Sequence, residues 1–240
     1  MNLASGQDFR NTGGIANTGV LQVKNLKTGL PSVVNGTFEV IGRNQTIPPV
    51  QFSNLILNGQ SRHSTAAGNL AITGTLTIAG NDTLSVDQSS VVGLMGTLAD
   101  NGLLIGKIRK TDTLGSPPYQ SHFGNLGLRL AGSGVSPGIT TVTRGSQLVS
   151  TGNGQFSIAR YYDVEPQNSR STAQLTFSYA APDLMGQNAS QLELWRSLDG
   201  GVTWRRQKTH NDAPNLALST LQSHALNGRW TASDPAHPLG

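Results

Sequence analysis

The most specific chemical pattern in the sequence lies at residues 197–204, which read Ser-Leu-Asp-Gly-Gly-Val-Thr-Trp. This segment matches the Asp-box pattern Ser-x-Asp-x-Gly-x-Thr-Trp, with Ser197, Asp199, Gly201, Thr203 and Trp204 at the defining positions. A carboxylate at the third position can accept hydrogen bonds from backbone amides, and glycine permits the left-handed backbone of a tight turn. The hydroxyl groups can bond across the turn, and the indole can anchor it on a core. The pattern therefore predicts a structural hairpin rather than a reactive site.

The Asp-box also occurs in sialidases and other β-propellers, so an enzyme is a second interpretation of the motif. In those proteins the motif lies away from the catalytic centre, and a propeller repeats its motif from blade to blade. This chain carries one copy. It also lacks the His-Glu-x-x-His, Gly-x-Ser-x-Gly, P-loop and EF-hand patterns. The sequence therefore predicts neither a propeller nor an enzyme.

The remaining titratable residues form no catalytic or metal-binding set. Glu occurs at only three positions, so a paired-carboxylate site would have to draw on Asp. Asp163 and Glu165 can share one strand face, but the nearby Arg160 and Arg170 indicate ion pairs instead. We interpret His-Asn-Asp at residues 210–212 as a solvated loop. We expect no catalytic residue, no metal and no cofactor.

The composition excludes several classes of protein. Charged residues make up 12% of the 240 residues, about half of the roughly 25% that is usual in a soluble domain. Ser, Thr, Asn and Gln together make up about a third, and Cys is absent, which excludes a disulfide-stapled fold. No run approaches the roughly 20 apolar residues of a membrane helix, and Gly, Ser, Thr and Asn disfavour a helical bundle. The chain is therefore predicted to be all-β, with a neutral hydrogen-bonding surface.

The charge balance gives no sign of a nucleic-acid partner. The net charge of +4 comes from 17 Lys and Arg against 13 Asp and Glu. The basic residues are scattered, whereas a phosphate-binding face needs many converging cations. The first residues lack the basic and apolar regions of a signal peptide. We expect the chain to be a processed or excised piece of an exported protein.

Apolar-x-apolar triplets recur through the first hundred residues, with turn residues such as Asn-Gly between them. Alternation of this kind is typical of short strands with one buried face. The spacing allows antiparallel hairpins, which Asn-Gly favours, or a β-solenoid that stacks coil upon coil, which the regular interval favours. We predict the solenoid. The triplets begin at Leu21, Phe38, Leu55 and Leu70, which are 17, 17 and 15 positions apart, with shorter steps to Leu76 and Leu84.

Residues 91–108 are predicted to form the last coils, after which Lys107, Arg109 and Lys110 interrupt the pattern. Charges at such a place can protect an exposed sheet edge from pairing with another chain.

A change of composition marks a second domain. The Gly-Ser-Pro-Pro stretch near residue 115 breaks both helices and strands, and all Tyr and Trp residues lie at or after Tyr119. Short alternating runs then follow at roughly ten-residue spacing, as in an antiparallel β-sandwich. The sequence thus predicts a parallel β-helix-like solenoid domain at residues 1–112, a linker at 113–118, and a β-sandwich at 119–240 that contains the Asp-box hairpin.

A series of short segments spread over nearly the whole chain matches one family of modules in order. The segments are Gln-Thr-Ile-Pro at 45–48, Asn-Leu-Ile-Leu at 54–57, Gly-Thr-Leu at 74–76, Phe-Gly-Asn-Leu-Gly at 123–127, Ser-Ile-Ala-Arg-Tyr-Tyr-Asp-Val at 157–164, Leu-Thr-Phe-Ser-Tyr at 175–179 and Arg-Trp-Thr at 229–231. In these segments the chain resembles modules of large Bacteroidota surface proteins that are exported by the type IX secretion system. The resemblance implies a secreted or cell-surface adhesin or scaffold whose C-terminal sorting domain is removed at the surface. It also implies O-glycosylation at Thr83 and Thr113, because Asp-Thr-Leu at residues 82–84 and 112–114 resembles the Asp-Thr-aliphatic sites of that phylum.

Two functions of different classes follow. The first is a non-catalytic extracellular structural or adhesive module, whose partners are other copies or neighbouring surface proteins, with assembly into a fibre or sheath. The alternative is a carbohydrate-binding module, in which exposed aromatic rings stack on sugars. The candidate rings are Trp195, Trp204, Trp230, Tyr161 and Tyr162, but a chain with so few aromatic residues is expected to place them in its core.

Overall fold

The structure is a computed structural model that describes residues 19–24, 26, 30, 32–58, 63–79, 82–86, 90–100, 103–151 and 154–240. The chain divides into two compact units, Met1–Arg109 and Lys110–Gly240. The described residues form strands and short 3-10 helices, with no α-helix among them. The prediction of an all-β protein is therefore confirmed.

The first unit is built from short strands joined by polar corners. Its strands are β1 (Val20–Val23), β2 (Val33–Val40), β3 (Gln45–Ile47), β4 (Gln51–Leu57), β5 (His63–Ala66), β6 (Leu70–Ile72), β7 (Thr75–Ile78), β8 (Thr83–Val86), β9 (Val92–Leu94), β10 (Thr97–Asp100) and β11 (Leu103–Ile105). The next strand, β12 (Lys107–Leu114), crosses the division between the two units.

These strands form two parallel sheets. In one, β2 pairs with β1 and β4, the β6 and β7 strands both pair with β4, and β9 and β10 continue from them. The other has the order β11-β8-β5-β3. Strands that are all parallel require the chain to return to the same end after each one, as in a coil. The predicted β-solenoid is confirmed, with about four turns, and the alternative of antiparallel hairpins is wrong for this unit.

The stacking order corrects one step of the predicted repeat. Leu21, Phe38 and Leu55 do lie opposite one another in adjacent coils. The next residue in this row is Leu76 rather than Leu70, because opposite residues of the later coils are 20 to 22 positions apart. Most of the extra length is already present at β6, where Phe52 lies opposite Ile72, and the corner at residues 73–74 between β6 and β7 adds one residue more. Leu84, in turn, belongs to the second sheet.

The solenoid interior is apolar, and the outward side chains tie adjacent coils together. Phe38 and Phe52 are fully buried, with ring centroids 5.5 Å apart. On the outside, Glu39 accepts hydrogen bonds from the Gln22 amide at 2.7 Å and from the Asn58 amide at 2.8 Å. Polar groups on successive coils therefore bond to one another.

The charges at the end of the repeat do not interrupt it as predicted. Lys107, Arg109 and Lys110 lie within strand β12. In an extended strand, successive side chains point to opposite faces. The side chains of Lys107 and Arg109 therefore point to the face opposite the buried Ile108. The strand continues through all three charged residues.

The second unit contains the remaining strands and four short 3-10 helices. The strands are β13 (Tyr119–Ser121), β14 (Leu128–Gly132), β15 (Gly138–Gly145), β16 (Tyr161–Pro166), β17 (Thr172–Ser178), β18 (Glu193–Ser197), β19 (Arg205–Arg206), β20 (Thr209–Asp212), β21 (Ala217–Thr220), β22 (His224–Ala225) and β23 (Gly228–Ser233). The 3-10 helices are Phe123–Asn125, Ala181–Leu184, Ala189–Gln191 and Ala213–Asn215. Residues 113–118, predicted as a linker, comprise the last two residues of β12 and the segment that leads into β13.

Two antiparallel sheets face each other in this unit. The first has the order β15-β16-β23-β18-β19, and the second β13-β14-β17-β21-β20, with β22 paired to β17. Tyr162 of β16 and Phe177 of β17 meet edge to face between the sheets, with ring centroids 4.9 Å apart. Both side chains are fully buried. The predicted β-sandwich is therefore confirmed.

None of the helices in the described part of the chain has the length and apolar character needed to cross a membrane.

Candidate functional site

The Asp-box hairpin connects β18 to β19 in the first sheet of the sandwich. One Asp199 carboxylate oxygen accepts from the Val202 amide at 3.1 Å and the Thr203 amide at 2.9 Å, and the other accepts from the Thr203 hydroxyl at 2.6 Å. The Ser197 hydroxyl donates to Asp199 at 2.7 Å and accepts from the Gly201 amide at 2.8 Å. These groups satisfy one another inside the turn, so the motif builds a rigid hairpin.

Trp204 fastens this hairpin to the interior of the unit. Its indole nitrogen donates to the Gly201 carbonyl at 3.0 Å, and its ring packs with Trp195 and Leu239. Only 6% of Trp204 is exposed. The indole is therefore part of a buried cluster.

Arg229 joins the same hairpin to a neighbouring strand. Its guanidinium donates to both Asp163 carboxylate oxygens, at 2.7 and 2.8 Å, and to the Gly200 carbonyl at 3.0 Å. The guanidinium carbon also lies 4.2 Å from the ring centroid of Tyr161. The predicted partner of Asp163 is corrected by this contact, since Arg160 pairs with Asp183 instead, at 2.7 Å. Charges that are held in this way stabilise strand pairing.

The ionisation of Asp199 leads to a testable pH dependence. Hydrogen bonds from the Ser197 side chain, and from the side chain and backbone of Thr203, hold the pKa of the Asp199 carboxyl well below its usual range. The pKa in the unfolded chain is about 3.9. The ionised carboxylate therefore stabilises the folded state above that pH, and this contribution is lost as the pH falls through the lower folded-state pKa.

We expect the difference in unfolding free energy between the native chain and Asp199→Asn to be constant from about pH 7 to pH 5. Below about pH 4 the difference should shrink. Urea unfolding at a series of pH values measures it. Thr203→Ala, which removes one donor to the carboxylate, should weaken the same pH dependence. A difference that stays constant down to pH 2 would contradict the assignment.

The five aromatic residues considered for stacking on sugars are all in the interior. The hydroxyl of Tyr162, for example, donates to the Leu126 carbonyl at 2.9 Å. A chain with so few aromatic residues uses them to fill its core. The expectation that these rings belong to the core is therefore confirmed, and none of the five forms a stacking surface. The exposed fractions are Trp195 8%, Trp204 6%, Tyr161 3%, Tyr162 0% and Trp230 0%.

The two candidate glycosylation sites differ in accessibility. Thr113 is exposed on β12, beside Asp112, whose carboxylate bonds to the Ser121 hydroxyl and lies 3.7 Å from the Lys110 ammonium. Thr83 is half-buried on β8, between two neighbouring strands of its sheet. Thr113 is the better placed of the two to carry a sugar.

Other titratable residues are engaged in local structure. His237 lies 2.7 Å from Asp234, which also accepts from the Asn188 amide at 2.9 Å. The predicted loop at residues 210–212 is wrong, because these residues lie in β20, where Asn211 donates to the backbone carbonyls of Ala189 and Leu192. Within the described ranges, no group of three or more His, Asp or Glu is placed to hold a metal ion.

Two open depressions indent the surface of the second unit. The larger, of about 620 Å³, is lined by neutral side chains of the second sheet. The smaller, of about 380 Å³, lies beside the surface ion pair of Arg206 and Glu193 and also includes Lys208. No local sequence pattern marks either depression, since each combines residues from several strands. The lining of the larger is Pro118, Tyr119, Gln120, Ala131, Gly132, Ser133, Gln174 and Ser223.

No family model matches the chain, and comparison with curated proteins and with solved structures finds no match.

Proposed function

We propose that the chain is a non-catalytic structural or adhesive module of an exported or cell-surface protein. The observation that carries the proposal is the continuous stacking of coils in the first unit. Each coil adds a row of backbone hydrogen bonds and a layer of buried apolar side chains to the one before. A solenoid of this kind resists deformation along its stack and suits a spacer.

The second unit supports the same proposal through the use of its polar groups. Asp199, Asp163 and Arg229 hold a hairpin to its sheet, and Asp183 and Arg160 form an internal ion pair. These charged groups are committed to fixed partners in the fold. The sequence resemblance to exported surface modules of Bacteroidota agrees with an extracellular location.

Self-association fits the low charge of the chain. In the described part of the second unit, β13 and β20 are the outer strands of one sheet, and β19 is an outer strand of the other. An outer strand presents unpaired backbone groups that can pair with another chain, and charge is one of the devices that prevents it. The two exposed arginines of β19 supply this protection, whereas β13 carries no charge and is therefore the outer strand that is more open to pairing. The proposed partners are other copies or neighbouring surface proteins.

Surface labelling and sedimentation test the two parts of this proposal. A membrane-impermeant amine reagent applied to intact source cells should label the native protein, whereas a cytosolic enzyme should be labelled only after lysis. Sedimentation velocity of the full chain from micromolar to millimolar concentration should show growing assemblies. A chain that stays monomeric throughout contradicts assembly, and one that is shielded in intact cells contradicts the surface location.

The alternative function, carbohydrate binding, cannot use the five buried aromatic rings. The larger depression on the second sheet, which is lined by neutral polar groups, favours it instead.

A further inference from the structure

The larger depression lies on the outer face of the second sheet. Gln120 of β13 is opposite Ala131 of β14, which is opposite Gln174 of β17. The adjacent residues Leu130 and Leu175 are fully buried in the sandwich. Because side chains alternate along a strand, the row formed by the other three residues points outward. Ala131, at the centre of this row, has a small side chain and forms the floor of the depression.

The two glutamine amides are held in opposite orientations. The Gln120 side-chain oxygen accepts from the Arg129 guanidinium at 3.0 Å, which leaves its NH₂ group to donate. The Gln174 side-chain nitrogen donates to the Thr220 carbonyl at 3.2 Å, which leaves its oxygen to accept. A guanidinium cannot accept and a carbonyl cannot donate, so these contacts fix both orientations. One wall thus offers a donor and the other an acceptor.

Two hydroxyl groups add to this capacity at the rim. Ser133 follows the end of β14, and Ser223 precedes β22. Both residues are exposed, and neither hydroxyl has a hydrogen-bond partner among the described residues. A hydroxyl both donates and accepts, so it matches another hydroxyl in either direction.

Tyr119, next to Gln120 and opposite Gly132, points to the inner face of the sheet and supports the strands behind the depression. Its hydroxyl donates to the Thr172 carbonyl at 2.8 Å, and it lies so close to Gly132 that a Cβ there would be 2.5 Å from the oxygen. The ring can occupy this position only because residue 132 is glycine. The exposed ring of Pro118 beside it supplies an apolar surface.

The chemistry of the lining selects one class of ligand. None of the described residues that line the depression is charged, and its volume of about 620 Å³ falls within the range of small-molecule sites, roughly 300–1,000 Å³. A sugar offers hydroxyl groups that donate and accept, together with apolar C–H faces. The Arg129 guanidinium lies outside the lining and donates to Gln120, so a carboxylate or sulfate in the depression would compete with that contact for the cation.

We propose that this depression binds a segment of a neutral oligosaccharide, with Gln120 and Gln174 as the opposed donor and acceptor. The site goes beyond the structural role proposed above and does not depend on self-association.

Calorimetric titration of the full chain with defined oligosaccharides tests the proposal. The probes are hexasaccharides of β-1,4-glucan, α-1,4-glucan, β-1,4-mannan and β-1,4-xylan, with oligogalacturonate as the anionic comparison. At least one neutral probe should bind, and the anionic probe should not bind at this site. Gln120→Ala and Gln174→Ala should each weaken binding roughly five- to tenfold, the effect expected for one net hydrogen bond.

Ser219→Ala is the matched control. Ser219 lies on β21 opposite Thr176, on the same outer face of the sheet but outside the lining. It should leave affinity unchanged within about twofold. Ser133→Ala and Ser223→Ala lie outside the paired strands and keep the test available if a glutamine variant unfolds.

Three results would overturn the proposal: no neutral probe binds, only the anionic probe binds, or binding is unaffected by substitutions in the lining while the variants remain folded. None of these outcomes affects the results of surface labelling or sedimentation. The proposed structural function is therefore tested independently of this binding site.

Discussion

Replacing Gly96 with alanine is expected to lower the free energy of unfolding of the first unit by about 3 kcal/mol or more. Gly96 lies in the corner between β9 and β10, directly against Gly74 of the preceding coil. A Cβ at this position would overlap the Gly74 carbonyl oxygen and lie 2.5 Å from its carbonyl carbon. The new Cβ would clash with backbone atoms, which cannot rotate away as a side chain can. The clash can therefore be removed only if the two coils move apart. That movement would also strain the hydrogen bond from the Thr97 amide to the Gly74 carbonyl, now 3.0 Å.

Gly93→Ala is the matched control for this prediction. Gly93 lies on β9, three residues earlier in the same coil, and a Cβ there would lie in ordinary contact, 3.6 Å from the Leu70 carbonyl oxygen. Alanine restricts the unfolded chain more than glycine does, so Gly93→Ala should be neutral or stabilising by about 0.4–1 kcal/mol. Urea unfolding and amide hydrogen exchange of the solenoid strands measure both variants. Equal effects of the two substitutions would refute the close-contact argument.

The same contact recurs one coil earlier and explains the shape of the corner. A Cβ at Gly74 would lie 2.7 Å from the Ser53 carbonyl oxygen of the coil before. Neither Gly74 nor Gly96 has a positive φ, so the requirement for glycine here comes from close approach of the backbone. From the sequence, these residues look like ordinary turn glycines. Their role depends on which coil lies beneath them, and that follows only from the strand register.

The parts of the solenoid that the sequence predicts well are local. The alternation in each triplet shows which residues point inward, and Leu21, Phe38 and Leu55 stack because the first coils keep a constant length. The assignment of Leu70 to the same row fails for a physical reason. The distance along the chain between opposite residues grows from 18 at Val34 and Phe52 to 20 at Phe52 and Ile72, and alternation alone does not show this change of register.

The candidate sites also divide into those that a local pattern predicts and those that depend on contacts between distant residues. The Asp199 carboxylate finds its hydrogen-bond partners within four residues, so the pattern of residues 197–204 carries the information needed. The pair of Arg229 and Asp163 joins residues 66 positions apart. The depression at Gln120 and Gln174 requires the register of three strands. Pattern analysis of one sequence does not supply such long-range registers, and neither feature has a local motif.

A second large effect is expected from Asp183→Asn, in the interior of the sandwich. The Asp183 side chain is 5% exposed and that of Arg160 is 12% exposed, with Nε and Oδ2 2.7 Å apart. The same carboxylate oxygen accepts from the Ala180 amide at 2.7 Å. An asparagine oxygen can still accept that bond, so the substitution removes mainly the negative charge. A guanidinium that loses its counter-charge away from water costs about 3–5 kcal/mol of stability.

The ion pair of Glu193 and Arg206 provides the contrast on the same unit. Its N–O distance is also 2.7 Å, but the Arg206 side chain is 65% exposed. Water already solvates both charges there, so Glu193→Gln should cost no more than about 1 kcal/mol. Denaturant unfolding of the two variants, followed by tryptophan fluorescence, compares the pairs at equal distance and unequal burial. If the two substitutions cost the same, burial does not decide the contribution of these ion pairs, and the role assigned to Asp183 in holding the sandwich is wrong.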